Sequence, residues 1–565
     1  MSGGQPGGRR AALATWLIAA PVLAILLWTV VLPNVSVIAG SFDGGFAHWR
    51  AFFANPSDRD ALRNTIVVAV ASVIAATAIG LPLAFLLTRA EFRGRGVLAA
   101  VATLPAALPP LVGVLAFYFL YGESGVLTRA VQHLFRLSSP PWSFTGVPAI
   151  IFVHACTMYV YVFLLVSAGL ERYDASLDEA AAGLGAGPVR RLRRVTLPML
   201  TPAIAGAMLL VFMSALGSFS APFIFGGGVR VLSTQILASR TNNQFGVSFV
   251  ETTVLAVSAV AALALFRWVE RRRGYVLSGK GQRSRRSEPR SAVVRALAPF
   301  LVAILVVALV LPHAMLALVS FAREGAWTTQ VLPPAYTLDN FRRLATDPRL
   351  LEPIRNSVTM ALVATLANVI FCVAAAYLVV MRRFRGRRLL EVLLSLPWAI
   401  PATAIAIGLA STFNRNDPLL LRIVLVGTWW ILPLAYFIRG IPLVTTAVEG
   451  SLRQMDPSTE EAARGLGSPW WLTVKRVVLP AAKPGIVAGA VLAAITAVGE
   501  FVASTVLYSH SNRPISVEIY AQFRTGTFGT AAAYSLLLIL LVLIITLLAR
   551  WGENRVDPES STLAG

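Results

Sequence analysis

The chain has 565 residues, of which 56% are apolar and only 13% charged, with a formal net charge of +22. A soluble domain carries nearer a quarter charged residues, so this balance excludes an ordinary soluble protein. The Lys and Arg residues sit in short clusters between apolar runs, which argues against a nucleic-acid surface. Two isolated cysteines and five scattered histidines leave neither a disulfide scaffold nor a metal centre to build.

From the start, Met1–Arg10 is polar and ends on Arg9-Arg10, and Ala11–Leu32 supplies an apolar run of spanning length. It is too long for a signal-peptide core and has no convincing cleavage site, so a retained first helix is expected; the rest of a twin-arginine signal is missing. The second span is expected at about 64–88, ended by the basic turn Arg89–Arg95. A third, at about 97–121, carries Leu104-Pro105 and Pro109-Pro110, and a fourth lies at about 147–169.

The fourth span leads into Glu179-Ala180-Ala181-Ala182-Gly183-Leu184-Gly185, followed after a basic segment by Val195-Thr196-Leu197-Pro198. Asp174 is placed to cap a helix that ends where Gly185 can turn left-handed, and Gly187-Pro188 restarts it. The stretch therefore reads as two short helices and a hinge. Ala180-Ala181 leave a bare surface beside a carboxylate, which another protein's backbone can approach closely. A helical hairpin lying on the membrane is the plainer alternative for a single copy.

Spans five and six are expected at about 201–225 and 246–269. The chain then divides into a first half, 1–276, a basic linker, 277–295, and a second half, 296–565. The linker carries Lys280, Arg283, Arg285, Arg286 and Arg290. Gly274–Gly281 approaches a phosphate-binding loop, but Gly281 stands where the magnesium-binding hydroxyl belongs and no βαβ unit surrounds it.

The second half repeats the first. Arg355-Asn356-Ser357 answers Arg63-Asn64-Thr65, and Leu396-Pro397 answers Leu104-Pro105. Glu461-Ala462-Ala463-Arg464-Gly465-Leu466-Gly467, then Val477-Val478-Leu479-Pro480, lies 282 residues after the first copy with identical spacing. Asp456 and Pro457 form its cap. Spans seven to twelve are expected near 297–320, 356–380, 389–411, 421–444, 484–508 and 529–550. Twelve spans put both termini on one side, and that side holds about twice as many Lys and Arg as the other, which makes it cytoplasmic. Both repeated loops fall there.

Glu-Ala-Ala, three residues, Gly, nine residues, a β-branched residue, one residue, Leu-Pro: both copies resemble the EAA signature of permease subunits of ATP-binding-cassette importers. The likeness covers essentially the whole chain, as two such permeases fused head to tail. It implies an all-α polytopic membrane protein of type I importer architecture, with about twelve spans in two homologous six-helix halves. It implies that Glu179, Ala180, Ala181, Gly185, Leu197 and Pro198, with Glu461, Ala462, Ala463, Gly467, Leu479 and Pro480, couple to an ATPase. The chain itself would then hold no cofactor and no catalytic or metal site, since ATP and Mg belong to the ATPase. The partners implied are two copies of that cytoplasmic ATPase, an extracytoplasmic substrate-binding protein and the lipid bilayer of a bacterial inner membrane.

Glu500 is the clearest carboxylate inside a span, and such groups are functional candidates because they are costly to bury. Its counterpart is Ser218. The segments around Ser218-Phe219 and Glu500-Phe501 resemble the family's gate-forming helix, although packing alone is the plainer role for a buried carboxylate. A twelve-span secondary carrier is the alternative class, but it leaves the paired loops unexplained. Fused permeases of this kind resemble ferric-iron importers, and also those for thiamine, phosphonates and polyamines. Phe219-Ser220-Ala221-Pro222, Gly226-Gly227-Gly228 and Gly279-Lys280-Gly281 look most like the iron group.

Overall fold

The computed structural model describes residues 6–272, 292–327, 330–382, 384–414 and 422–554. The linker residues Lys280 to Arg290 and the Gly274–Gly281 stretch lie outside them. Among the described residues extended backbone is confined to isolated bridge residues, such as the pair Ala322 and Tyr336, and helices joined by turns carry the rest. Among these residues eleven helices are long and apolar enough to cross a membrane, or twelve if a bent pair counts as one span, which agrees with the expected number.

In chain order the helices used below are α1 (Thr15–Gly40), α2 (Pro56–Arg89), α3 (Pro110–Tyr121), α4 (Gly146–Glu171), α5 (Ala175–Gly183) and α6 (Pro188–Leu216). Then come α7 (Ser220–Phe225), α8 (Leu232–Thr241), α9 (Phe245–Arg272) and α10 (Ala292–Ser320). The second repeat supplies α11 (Pro348–Met381), α12 (Arg387–Ala399), α13 (Ala402–Thr412), α14 (Ile431–Leu452), α15 (Pro457–Gly465) and α16 (Trp470–Val498). The last three are α17 (Val502–Leu507), α18 (Ile515–Arg524) and α19 (Phe528–Asn554).

Several expected spans move, and prolines or helix caps account for most shifts. The third does not run from 97 to 121: Leu104–Ala107 tightens to a 3-10 turn at Pro105, and the helix starts again at Pro110. In the ninth, Ile400-Pro401 bends the pair α12 and α13 by 106°. The fifth and eleventh begin earlier than 201 and 484, because the second short helix of each loop runs straight on into the span. They also end earlier, at Leu216 and Val498 rather than 225 and 508, where both helices break. The tenth begins at Ile431 rather than 421, and the first reaches Gly40 rather than 32.

The chain packs as two compact units, and each takes its first span from the other repeat. One unit holds Arg50–Asn243 and Val254–Thr337. Its core joins Val68, Ala76 and Leu83 of α2 with Ile150 and Val166 of α4, Phe117 of α3 and Val306 of α10. Gly80 lets α2 and α4 touch: a Cβ there would stand 2.6 Å from the carbonyl oxygen of Tyr159.

The other unit holds Met1–Trp49, Gln244–Thr253 and Leu338–Gly565. Within it α1 lies against α13, with Trp28 edge-on to Phe413 at 4.9 Å and Ser36 Oγ 2.6 Å from Thr412 Oγ1. Gly489 of α16 meets Val444 of α14 so closely that a Cβ would sit 2.9 Å from its Cα. Small residues at such crossings allow the backbone approach that holds membrane helices together. Set against the expected halves 1–276 and 296–565, the packing units exchange α1 and α10.

Candidate functional site

The two Glu-Ala-Ala loops fold alike from local chemistry. Asp174 Oδ1 accepts the Ser176 N–H at 3.0 Å and Asp456 Oδ1 accepts the Ser458 N–H at 2.9 Å, capping α5 and α15. That bond holds the Asp456 carboxyl below the usual carboxylate range. Both helices end through glycines at positive φ, +80° at Gly185 and +77° at Gly467. The Ala186 N–H reaches back to the Ala181 carbonyl at 3.0 Å, and the Ser468 N–H to that of Ala463 at 3.1 Å, closing the same C-cap twice.

Past the hinge the helix restarts and passes through a wide π turn, Leu192–Thr196 in one copy and Val474–Val478 in the other. The spacing is again 282 residues, and such turns recur at functional places in helices. Leu197-Pro198 and Leu479-Pro480 follow this turn and open the regular part of each span.

At the tip of each loop Glu179 and Ala180, and Glu461 and Ala462, are exposed, while Ala181 and Ala463 are half-buried. Beside them Leu184 is 88% exposed and Leu466 90%. Sequence reasoning passed over these two leucines, although they occupy the same register.

It also passed over the preceding acids. Asp178 Oδ2 pairs with Arg89 at 3.1 Å, and Glu460 Oε1 pairs with Arg382 at 3.3 Å. Each arginine also lies over a tyrosine ring, Arg89 over Tyr173 at 4.9 Å and Arg382 over Tyr377 at 5.1 Å. Each loop is thus latched to the C-terminal end of a long span, α2 or α11. The second latch is denser: the Tyr377 hydroxyl donates to Glu460 at 3.3 Å and accepts from Trp470 Nε1 at 3.0 Å.

The starts of these spans explain the repeated Arg-Asn-Thr/Ser motif. Asn64 Nδ2 donates to the Arg230 carbonyl at 3.1 Å, and Thr65 Oγ1 accepts the Leu232 N–H at 2.8 Å. Asn356 Nδ2 donates to the Arg513 carbonyl at 3.2 Å, and Ser357 Oγ accepts the Ile515 N–H at 2.8 Å. Helices α2 and α11 each have 34 residues, about 50 Å of rod. One end grips the loop and the other pins the segment that leads into α8 or α18.

That segment begins at the helix breaks. Gly217–Phe219 separates α6 from α7, and Gly499–Phe501 separates α16 from α17. Broken helices within a membrane must have their freed backbone groups satisfied. Ser233 Oγ donates to the Ser218 carbonyl at 2.6 Å, and Ser516 Oγ donates to the Glu500 carbonyl at 2.7 Å. The Ser218 hydroxyl lies 2.8 Å from His154 Nε2, whose Nδ1 lies 2.9 Å from Ser72 Oγ. Glu500 instead accepts the Ala503 N–H through Oε1 at 3.0 Å and pairs through Oε2 with Arg439 Nε at 2.6 Å. Phe219 and Phe501 are buried within their units. His154 and Arg439 were not foreseen, although Arg439 stands in an expected span.

Residues 59–275 and 367–558 match the family described as binding-protein-dependent transport system inner membrane component. The chain belongs to this family. The permease is 29% identical over 515 residues to the probable ABC transporter permease protein y4fN of Sinorhizobium fredii, a match covering 89% of this chain and 90% of the relative. It is 25% identical to the ferric transport system permease protein FbpB of Actinobacillus pleuropneumoniae, over 87% of this chain and 71% of that one. The sulfate transport system permease protein CysT of Escherichia coli is 30% identical over 37% of this chain and 81% of its own length. The permease is a transporter component, a multi-pass inner-membrane protein with an internal duplication. A secondary carrier is set aside.

Proposed function

We propose that the permease forms the translocation pathway of an importer driven by two copies of a separate cytoplasmic ABC ATPase, one docked at α5 and one at α15. The observation that carries this is the duplicated tip: a bare Ala-Ala surface, an outward carboxylate and an almost fully exposed leucine, each held by a cap, a C-cap and a latch. Exposed apolar groups rimmed by charge mark protein contacts, and few residues carry most of the binding free energy. The loop side is then cytoplasmic, with both termini on it. The breaks at Ser218-Phe219 and Glu500-Phe501 form the gate, and an extracytoplasmic binding protein delivers substrate to the other side. ATP and Mg stay on the ATPase.

Ferric iron is the proposed substrate, supported by the ferric permease relative that spans most of the chain, whereas the sulfate relative matches little more than a third of it. Thiamine, phosphonate and polyamine remain the alternatives, and growth of a deletion strain on single sources of each discriminates among them. The docking test is retention of the ATPase during purification. Glu179→Lys with Glu461→Lys, and separately Leu184→Asp with Leu466→Asp, should each strip the ATPase while the spans still insert. Normal transport by either double variant would refute the docking, as would two permease chains per ATPase pair.

A further inference from the structure

Arg439 lies inside the span α14, where a guanidinium is costly and marks function by default. The duplication supplies an internal control. In the first repeat the residues 282 positions earlier are Thr157 for Arg439 and Ser218 for Glu500. Thr157 Oγ1 merely donates to the Val153 carbonyl of its own helix at 2.7 Å, and Ser218 meets His154. The same helix break beside the same span is thus built once with hydroxyls and an imidazole, and once with an ion pair. The architecture does not demand the charges.

The pair is lopsided. The Glu500 side chain is 5% exposed, with one oxygen held by the Ala503 N–H and the other by Arg439. Arg439 is 28% exposed; its Nε is buried and faces Glu500 Oε2 at 2.6 Å as an ion pair, and its two terminal nitrogens make no hydrogen bond to any described residue. The exposed member of the pair is therefore the cation, with the carboxylate buried behind it. A planar guanidinium with free terminal N–H groups matches the paired oxygens of carboxylates, sulfates and phosphates.

We propose that Arg439 is a specificity-determining contact for a substrate that crosses as an oxyanion or as an anionic chelate. The proposal rests on the importer reading above and narrows its substrate class. Ferric iron fits if it travels coordinated by carboxylates, whereas thiamine and polyamines, as cations, do not. Glu500 is then a positioning residue, and it neutralises the arginine while the path is empty.

The test uses the full chain with its ATPase and binding protein in cells lacking the native copy. Uptake of labelled sulfate, molybdate, methylphosphonate, ferric citrate, thiamine and spermidine is compared for the unaltered protein, Arg439→Lys, Arg439→Gln, and Arg439→Gln with Glu500→Gln. The unaltered protein should take up at least one of the four anions. Arg439→Gln should lose about ten- to a hundred-fold at low substrate, the span of one lost charge-assisted hydrogen bond, with Arg439→Lys between. The double variant decides between recognition and packing. It removes both charges, much as the first repeat does, so a merely structural pair would be rescued, while a substrate contact stays lost. Normal uptake by the double variant, or no uptake of any anion by the unaltered protein, overturns the proposal. ATPase retention is scored on the same samples; its absence from the unaltered complex would refute the importer reading instead.

Discussion

Neutralising the acid that precedes each Glu-Ala-Ala run should weaken the two latches unequally. Asp178 and Arg89 are 20% and 26% exposed, and Asp178 also accepts the Thr196 hydroxyl at 3.3 Å; as the more exposed of the two pairs it is set near the upper end of the surface range, about 1 kcal/mol. Glu460 and Arg382 are 7% and 19% exposed, and Glu460 also accepts the Tyr377 hydroxyl. Removing a buried partner outright costs about 3–5 kcal/mol. Gln keeps the tyrosine bond and Arg382 is partly solvated, so about 2 kcal/mol is the working figure for Glu460→Gln. That would shift the latched-to-released ratio of α15 about thirty-fold, against a few-fold for α5 in Asp178→Asn. The measurement is transport per ATP hydrolysed, alongside protease susceptibility of each loop. Glu460→Gln should uncouple hydrolysis from uptake and expose the second loop, and exchanging the charges, Glu460→Arg with Arg382→Glu, should restore part of the coupling. Equal effects of the two neutral variants, or a larger one for Asp178→Asn, would refute the argument from burial.

Gly185→Val and Gly467→Val test the hinge: no other group lies within 4 Å of a Cβ at either site, so the cost is the positive φ alone, about 1–3 kcal/mol, read as loss of the ATPase in detergent with the spans intact. Ser357→Ala should leave the Ile515 N–H without its acceptor and cost about 1–3 kcal/mol, seen as a lower thermal midpoint of the purified permease; Asn356→Ala should be milder, since it frees only a carbonyl.

What was legible in the sequence is what local chemistry dictates. Asp174, Asp456, Gly185 and Gly467 announce a cap and a stop whatever surrounds them, and both copies fold as read. The repeat made the fold class and the number of spans readable, and the family match agrees with it. Span ends were read less well where prolines redirect the chain, as at Pro105 and Pro401, because apolar content cannot show a bend. The ion pairs were hidden, since Arg89 with Asp178, and Arg439 with Glu500, are far apart in the chain and meet only after packing. The register held a usable signal even so: Asp178 and Glu460 are both acidic at matching positions, and His154 matches Tyr436. The exchange of α1 and α10 had no local signal at all, because an apolar helix carries no address for its neighbour.

That exchange bears on how the molecule is made. A ribosome delivers α1 long before the helices it packs against, so α1 must wait in the bilayer with its inner face covered only by lipid. Neither unit can close on its own repeat, and the first is not finished until α10 has emerged beyond the linker. Assembly is therefore a late, joint event rather than one half followed by the other.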